Sequence, residues 1–329
     1  MNSNFESVPC DFCQSVDTKT CITQTDVLHG TTSKDFSIQI CNQCQLSFTN
    51  PRPTEKEIAN FYGPNYAFHH KKNMVKEIII RFLKFAVNNP IIQKILLPFS
   101  LFMPDKMILY ISPKIKNPMD QFLNKKNIKF LDIGMGAGSH AHFWGEKSSL
   151  QYYAKIFQVF GVEPGQNARE VLKNKGFNNI YKTIDDIPKE FKFDVIRMNW
   201  SLEHVHSPGK YFLFFKQQLA KNGKVILCLP NYNGIIYKTF PRCVELPIHL
   251  YHFKKNDIEN YCTKFDLCVE SFKTFSYPGM FYFSAIYFKE MMPFKKMTFA
   301  QAIYFQKTLN LFDLNEMGND FIATLSKKE

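Results

Sequence analysis

The stretch KFLDIGMGAGSH at 129–140 constrains the fold of this chain more than any other. An apolar run over 130–133 carries Asp132 and leads into Gly134, Gly136 and Gly138, a turn whose missing side chains let a ligand approach the backbone before a helix begins. Such a pattern is short and recurs by chance, so it needs company. A second apolar run, FQVFGVEP at 157–164, ends in Glu163, 25 residues after Gly138, where an acidic side chain can accept hydrogen bonds from both hydroxyls of a ribose. FDVIRMNW at 193–200 and GKVILCLPNY at 223–232 follow at intervals long enough for crossover helices. Strands and helices alternating in this way predict an α/β fold: a Rossmann-like, doubly wound parallel sheet with helices on both faces.

The start of the chain has a different constraint. Of nine cysteines, Cys10 and Cys13 lie in CDFC and Cys41 and Cys44 in CNQC, with 27 residues between the pairs. Each pair presents two thiolates from one tight knuckle, and together they supply four soft ligands for a closed tetrahedral zinc site. Four protein ligands leave no open position, so that zinc is expected to be structural. Cys21, Cys228, Cys243, Cys262 and Cys268 are expected to pack as small apolar residues. Replacing Cys41 with Ser is expected to destabilise the first 50 residues and leave the later part folded.

At 329 residues and 45% hydrophobic, the chain can bury a full core. The opening MNSNFESVPC lacks the basic and apolar regions of a signal peptide, and the most apolar window, near 91–103, is broken by Lys94 and Pro98, so a cytoplasmic protein with no spanning helix is expected. The net charge of +12 is concentrated: residues 69–130 hold twelve Lys and Arg against three Asp and Glu, whereas residues 1–68 hold four against seven. Within the basic segment Val75, Ile78, Ile79, Phe82, Leu83 and Ala86 recur at helical spacing, with Lys76, Arg81 and Lys84 on other faces. Three uses are open to that segment: packing of the stripe on the main domain, peripheral contact with an anionic membrane surface, or facing a polyanionic substrate. The division expected is a zinc ribbon over 1–50, a basic helical connector or lid over 51–129 and a catalytic domain over 130–329.

NWSLEHVHSP at 199–208 ends the third apolar run and sets one carboxylate and two imidazoles close together. A metal site, a proton-transfer site and a helix start all use these residue types. Ligands of open α/β sheets bind beyond the carboxyl ends of the strands, which places Asn199 beside a bound cofactor. Glu203 and His204 follow at once, although neighbours inside a helix diverge by about 100° and do not both face one pocket. His206 reads as a loop histidine.

Together, DIGMGAG, the acidic end of GVEP and FDVIRMNWSLEHV resemble the class I S-adenosylmethionine-dependent methyltransferases. The resemblance implies that Asp132, Gly134, Gly136, Gly138, Glu163 and Asn199 surround the cofactor, the glycine loop at its methionine part and the acid at its ribose. ICNQCQLSFTNPRPTEKEIANFYGPNY is similar to the zinc-ribbon leader of bacterial methyltransferases of sugar and surface-polysaccharide biosynthesis, and LPIHLYHF at 246–253 and GNDFIATLSK at 318–327 resemble that group's late loop and last strand. Its members imply methyl transfer to a hydroxyl or carbon of a small-molecule or nucleotide-linked sugar or glycan acceptor. They also imply acceptor binding or base catalysis at Glu203 and His204; in quinone-type relatives the same pair helps hold a divalent metal. His249, on the late loop, is an alternative base. Departures are Gln45 where relatives carry glycine, and a long SHAHFWGEKSSLQYYAK between turn and second strand. The apolar stretch 278–312 predicts a helical excursion, with core packing the expected use of its aromatics. An RNA methyltransferase would also combine ribbon, fold and basic surface, but the ribbon segment here is acidic, which disfavours a nucleic-acid partner. A non-catalytic binding module on the same fold is the other alternative.

Overall fold

The computed structural model describes residues 4–62, 74–113, 115–138, 144, 148–288 and 297–328. Five short strands come first: β1 (Phe5–Glu6), β2 (Thr18–Gln24), β3 (Phe36–Cys41), β4 (Ser47–Thr49) and β5 (Arg52–Pro53). β2, β3 and β4 form an antiparallel sheet, and β1 closes against β5.

The connector follows as α1 (Met74–Asn88) and α2 (Pro90–Leu96). Asn89 separates them: its backbone is extended, its side chain accepts from the N–H groups of Ile91 and Ile92, and Pro90 fills a first position that needs no N–H. The stripe expected on α1 is helical, but most of it does not pack on the core. Ala86 and its neighbour Val87 are buried, while Ile78 is 60% and Phe82 68% exposed. The side chains of Val75, Lys76 and Arg81 lie outside the described residues. Among the described residues no helix is long and apolar enough to cross a membrane.

The remaining elements are β6 (Lys129–Ile133), α3 (Leu150–Tyr153), β7 (Gln158–Val162), α4 (Gln166–Asn174), β8 (Ile180–Tyr181), β9 (Phe193–Asn199), α5 (Pro208–Gln218), β10 (Leu219–Pro230), α6 (Ile235–Thr239), α7 (Lys255–Lys264), β11 (Leu267–Phe275), α8 (Pro278–Tyr287), α9 (Phe299–Leu314) and β12 (Asp320–Lys327). Seven strands make one sheet in the order β11-β12-β10-β9-β6-β7-β8. The parallel expectation holds from β10 to β8 and fails at β12, which runs antiparallel to both β10 and β11. The α8–α9 excursion is the reason: it leaves β11 at Phe275 and returns at Asp320, and these two residues are register partners. The chain re-enters the sheet from the edge it left, so no crossover turns the strand round.

Alternation along the strands sorts the core onto two faces. Phe130, Val195, Ile226 and Cys228 pack on one, and Leu131, Ile133, Ile196, Met198, Val225 and Leu227 on the other. The second cluster also contains Cys10, Cys41, Leu46 and Phe48, so the cysteine-bearing unit shares a core with the main sheet. Cys41 itself lies in that shared core. Cys228, Cys243 and Cys262 are buried as expected and Cys268 partly so; Cys21 is exposed, with its thiol 3.9 Å from the Tyr232 hydroxyl. In the excursion Phe281, Phe288 and Phe299 are core residues, whereas Phe283, Tyr287 and Tyr304 are exposed.

Candidate active site and cysteine centre

Both cysteine pairs sit in the same turn. The N–H of Gln14 donates to the carbonyl of Cys10 at 2.8 Å and that of Gln45 to Cys41 at 2.9 Å, and both glutamines take φ 62°. A glycine reaches this left-handed backbone freely, and a side chain there costs roughly 1–2 kcal/mol, which is the penalty of the departure at Gln45. The Sγ atoms of Cys10 and Cys44 are 3.4 Å apart, as are those of Cys13 and Cys41, and all four lie within 4.8 Å of one another. Zn–S bonds of about 2.3 Å in a tetrahedron require sulfur atoms about 3.8 Å apart, so the donor set fits zinc in number, chemistry and spacing. Burial pushes the Cys10 and Cys44 thiols up, Cys44 to about 11. Burial raises Cys41 too, but N–H groups of Cys44 and Gln43 outweigh it and bring that thiol down to about 7.

At the carboxyl edge of the main sheet, Gly134, Gly136 and Gly138 take φ of 81°, 53° and 78°. A Cβ on Gly134 would lie 2.6 Å from the Cβ of Ser201, whose hydroxyl donates to the carbonyl of Ile133 at 3.0 Å. The glycine turn and the 199–208 segment are therefore packed directly together. Glu163, 8% exposed, braces the same turn, accepting from the N–H of Gly136 at 2.7 Å and of Gly165 at 2.8 Å on its two oxygens. Asp132 is differently employed: both its oxygens bind the buried Arg197, at 2.7 and 3.0 Å, and that guanidinium lies over the rings of Phe130 and Tyr153. Asn199 ends β9 beside Gly134, since Ile133 pairs with Met198, and its buried Oδ1 has no hydrogen-bond partner among the described residues. The residues after the turn, 139–143 and 145–147, which include eight of the seventeen residues of the long insertion and the expected helix start, lie outside the described residues.

Trp200 turns the chain at φ 47°, and a single 3-10 turn, Leu202–His204, follows. The Glu203 side chain is buried, and neither carboxyl oxygen has a hydrogen-bond partner among the described residues. His204 Nε2 lies 3.9 Å from Glu203 Oε1. Divergence along the turn does not keep the two apart, because the turn is only three residues long and His204 is drawn to the late loop, its Nδ1 2.9 Å from the carbonyl of Ile248. A carbonyl only accepts, so Nδ1 carries the proton and Nε2 keeps its lone pair towards Glu203. The Tyr62 hydroxyl lies 3.2 Å from the same Nδ1.

His249 packs edge-on against His204 with ring centroids 4.8 Å apart, and its Nε2 is 3.6 Å from Glu245 Oε2. Donor atoms of Glu203, His204 and His249 all fall within 4.8 Å of one another. Burial holds the Glu203 carboxyl well above the usual carboxylate range and lowers His204 to about 4; burial, with His204 beside it, lowers His249 as well. Burial therefore favours the uncharged form of both Glu203 and His204, and the His204 tautomer leaves a lone pair on Nε2.

Sequence reasoning missed Tyr62, Glu245, Asp320 and Arg197. Asp320, buried at the start of β12, accepts from the Trp200 indole at 3.4 Å, and burial pushes it up to about 8 and Glu245 to about 7. Tyr62, Arg197 and Asp320 lie inside FYGPNY, FDVIRMNW and GNDFIATLSK with no local pattern to single out their roles, and Glu245 just precedes LPIHLYHF; the available signal was Arg197, a cation inside an apolar strand run.

The cysteine unit grips the site segment from outside. Asp11, inside the first knuckle, accepts from the Ser207 hydroxyl at 2.7 Å, the Gly209 N–H at 2.8 Å and the Tyr261 hydroxyl at 2.7 Å. Arg52 donates to the His206 carbonyl at 2.8 Å, while the His206 ring Nε2 meets the carbonyl of Pro53 at 3.0 Å. His206 is therefore a loop histidine with a latching role.

A sheet whose first strand enters a glycine turn, whose second ends in an acid bracing that turn, and whose last strand is antiparallel is that of a class I S-adenosylmethionine-dependent methyltransferase. The chain belongs to the methyltransferase domain family, which it matches over residues 106–271. The Candida albicans protein named ubiquinone biosynthesis O-methyltransferase, mitochondrial, is 25% identical over 126 residues, which make up 36% of this chain and 38% of that relative's length. Solved structures with a similar course include an S-adenosylmethionine-dependent methyltransferase from Clostridium acetobutylicum, at 15% identity and TM-score 0.37, covering 61% of this chain and 84% of that one. Another, from Mesorhizobium loti, has 11% identity and TM-score 0.38, covering 61% and 91%.

Proposed function

We propose that the protein methylates a hydroxyl or carbon of a sugar or glycan precursor, free or nucleotide-linked, with His204 as base and Glu203 holding the acceptor. One observation carries the reading: a buried carboxyl with neither oxygen hydrogen-bonded among the described residues faces an imidazole lone pair 3.9 Å away, beside the glycine turn. Buried polar groups are almost always satisfied, so an orphaned pair of this kind calls for a polar ligand. The curated relative's name favours an oxygen acceptor, and the sugar rests on the resemblance of the cysteine-bearing leader.

S-adenosylmethionine supplies an electrophilic methyl group on a sulfonium. Gly134, Gly136, Gly138, Glu163 and Asn199 would hold it at the carboxyl edge of the sheet, with Asp132 acting through Arg197 to keep the end of β6 in place. His204 Nε2 would take the proton that the acceptor oxygen gives up on methylation, and the site would keep that oxygen aligned with the methyl group. Glu203, as a neutral acid, donates to the acceptor and orients it, and His249 closes the far side. Cys10, Cys13, Cys41 and Cys44 would hold one structural zinc that keeps Asp11 and Arg52 against the loop.

His204→Ala and Glu203→Gln are each expected to lower turnover by about 10²–10⁴ with cofactor affinity nearly unchanged, since base and orienting groups act in the transition state. The assay is mass-spectrometric detection of methylated product from a panel of sugar nucleotides, with calorimetry of cofactor binding. Near-parental turnover in both variants would refute the base assignment. The three clustered donors also favour a second reading, a divalent metal held by Glu203, His204 and His249. Activity lost to chelator and restored by magnesium while the cysteines keep their zinc would select it.

A further inference from the structure

We propose that α1, α2 and the turns that follow form a face that docks on an anionic lipid bilayer. On α1, Ile78, Ile79, Phe82 and Phe85 are 54–68% exposed, and on α2 Ile91 and Ile95 are 72% and 61% exposed. Phe99, Leu101 and Phe102 extend the same character, the last 85% exposed. Folded monomers rarely present this much contiguous apolar side chain to water without a partner for it. These residues are also not spare core, because the inner side of the platform is already packed: Val87, Ile108 and Ile111 cluster with Phe299 and Ala302 of α9.

Charge decides what covers the face. No Asp or Glu occurs between Ile78 and Pro104, while Arg81, Lys84 and Lys94 do, inside a segment of twelve cations and three anions. Lys94 and Lys106 are exposed. A second copy would bring two such cationic segments together, whereas an anionic bilayer offers headgroups to the lysines and acyl chains to the phenylalanines. Among the described residues no helix is long and apolar enough to cross, so the platform is assigned to the surface. It is also joined to the candidate site, since α9 packs on α8, and Phe281 of α8 and Phe288 just after it pack in one cluster with Cys243, two residues before Glu245.

The test uses the full-length chain and sedimentation with vesicles of phosphatidylcholine containing about 30 mol% phosphatidylserine, against pure phosphatidylcholine. Binding is expected to be at least about tenfold tighter to the anionic vesicles and to weaken at high salt, as screened charges require. Phe82→Ser combined with Phe102→Ser, and separately Lys94→Glu combined with Lys106→Glu, are each expected to reduce vesicle binding by about tenfold or more. Because all four side chains are exposed, melting temperature and S-adenosylmethionine affinity should not move; either moving would trace the loss of binding to misfolding and overturn the assignment. Absence of anionic-vesicle binding, or binding untouched by both pairs of substitutions, refutes the proposal. A concentration-dependent dimer that the serine variants abolish would assign the face to a second copy instead. None of these outcomes depends on the identity of the methyl acceptor.

Discussion

Removing the Asp11 carboxylate separates a ribbon that merely precedes the catalytic domain from one that holds its site in place. Its two oxygens accept three hydrogen bonds, from Ser207, Gly209 and Tyr261, all between 2.7 and 2.8 Å. Hydrogen bonds to a charged acceptor are worth about 1.5–3 kcal/mol each, but Asp11 is half-buried and water replaces part of what is lost. Asp11→Ala is therefore expected to cost about 3 kcal/mol in total, and in a chain of this size to lower the melting temperature by roughly 6–12 °C. Because Ser207 and Gly209 directly follow the Glu203–His206 segment, turnover should fall about tenfold through misplacement of the base, with cofactor affinity preserved. Asp11→Asn, which keeps one acceptor oxygen, should fall between. Scanning calorimetry, zinc content and turnover on the same samples make the measurement. A melting temperature within about 1 °C of the parent, or hydrogen-exchange changes confined to the first 60 residues, would refute the coupling.

Gly134→Ala should destabilise by about 2–3 kcal/mol and weaken cofactor binding, from a strained φ and a contact with Ser201; adding Ser201→Gly should recover the contact part in urea denaturation and leave the backbone part. Asp320 binds its proton more tightly in the folded chain, at about 8 against 3.8, so between those values the folded state holds more protons and this residue's contribution to stability falls as pH rises. Asp320→Asn should accordingly gain on the parent from pH 5 to pH 8, by up to about 1.4 kcal/mol per pH unit; a constant difference in urea midpoint across that range would show that Asp320 does not titrate there.

Local patterns settled a great deal. The glycine turn, Glu163, the two knuckles and the alternating strands are written in short stretches because each depends on backbone geometry within a few residues: φ near 60° after each C-x2-C, glycine where Ser201 approaches, apolar alternation where both sheet faces are covered. What the sequence could not show depends on which distant segments meet. The antiparallel β12 follows from a connection returning to the edge it left. The orphaned Glu203 and the tautomer of His204 follow from Ile248 and Tyr62 closing over NWSLEHVHSP. The Asp132–Arg197 pair follows from β6 and β9 lying side by side. The fate of the α1 stripe was undecidable for the same reason, since helical spacing marks an apolar face but only the packing of the other elements determines whether anything is left to cover it. Periodicity is a property of one segment, whereas burial and the ionisation of buried groups belong to the assembled chain.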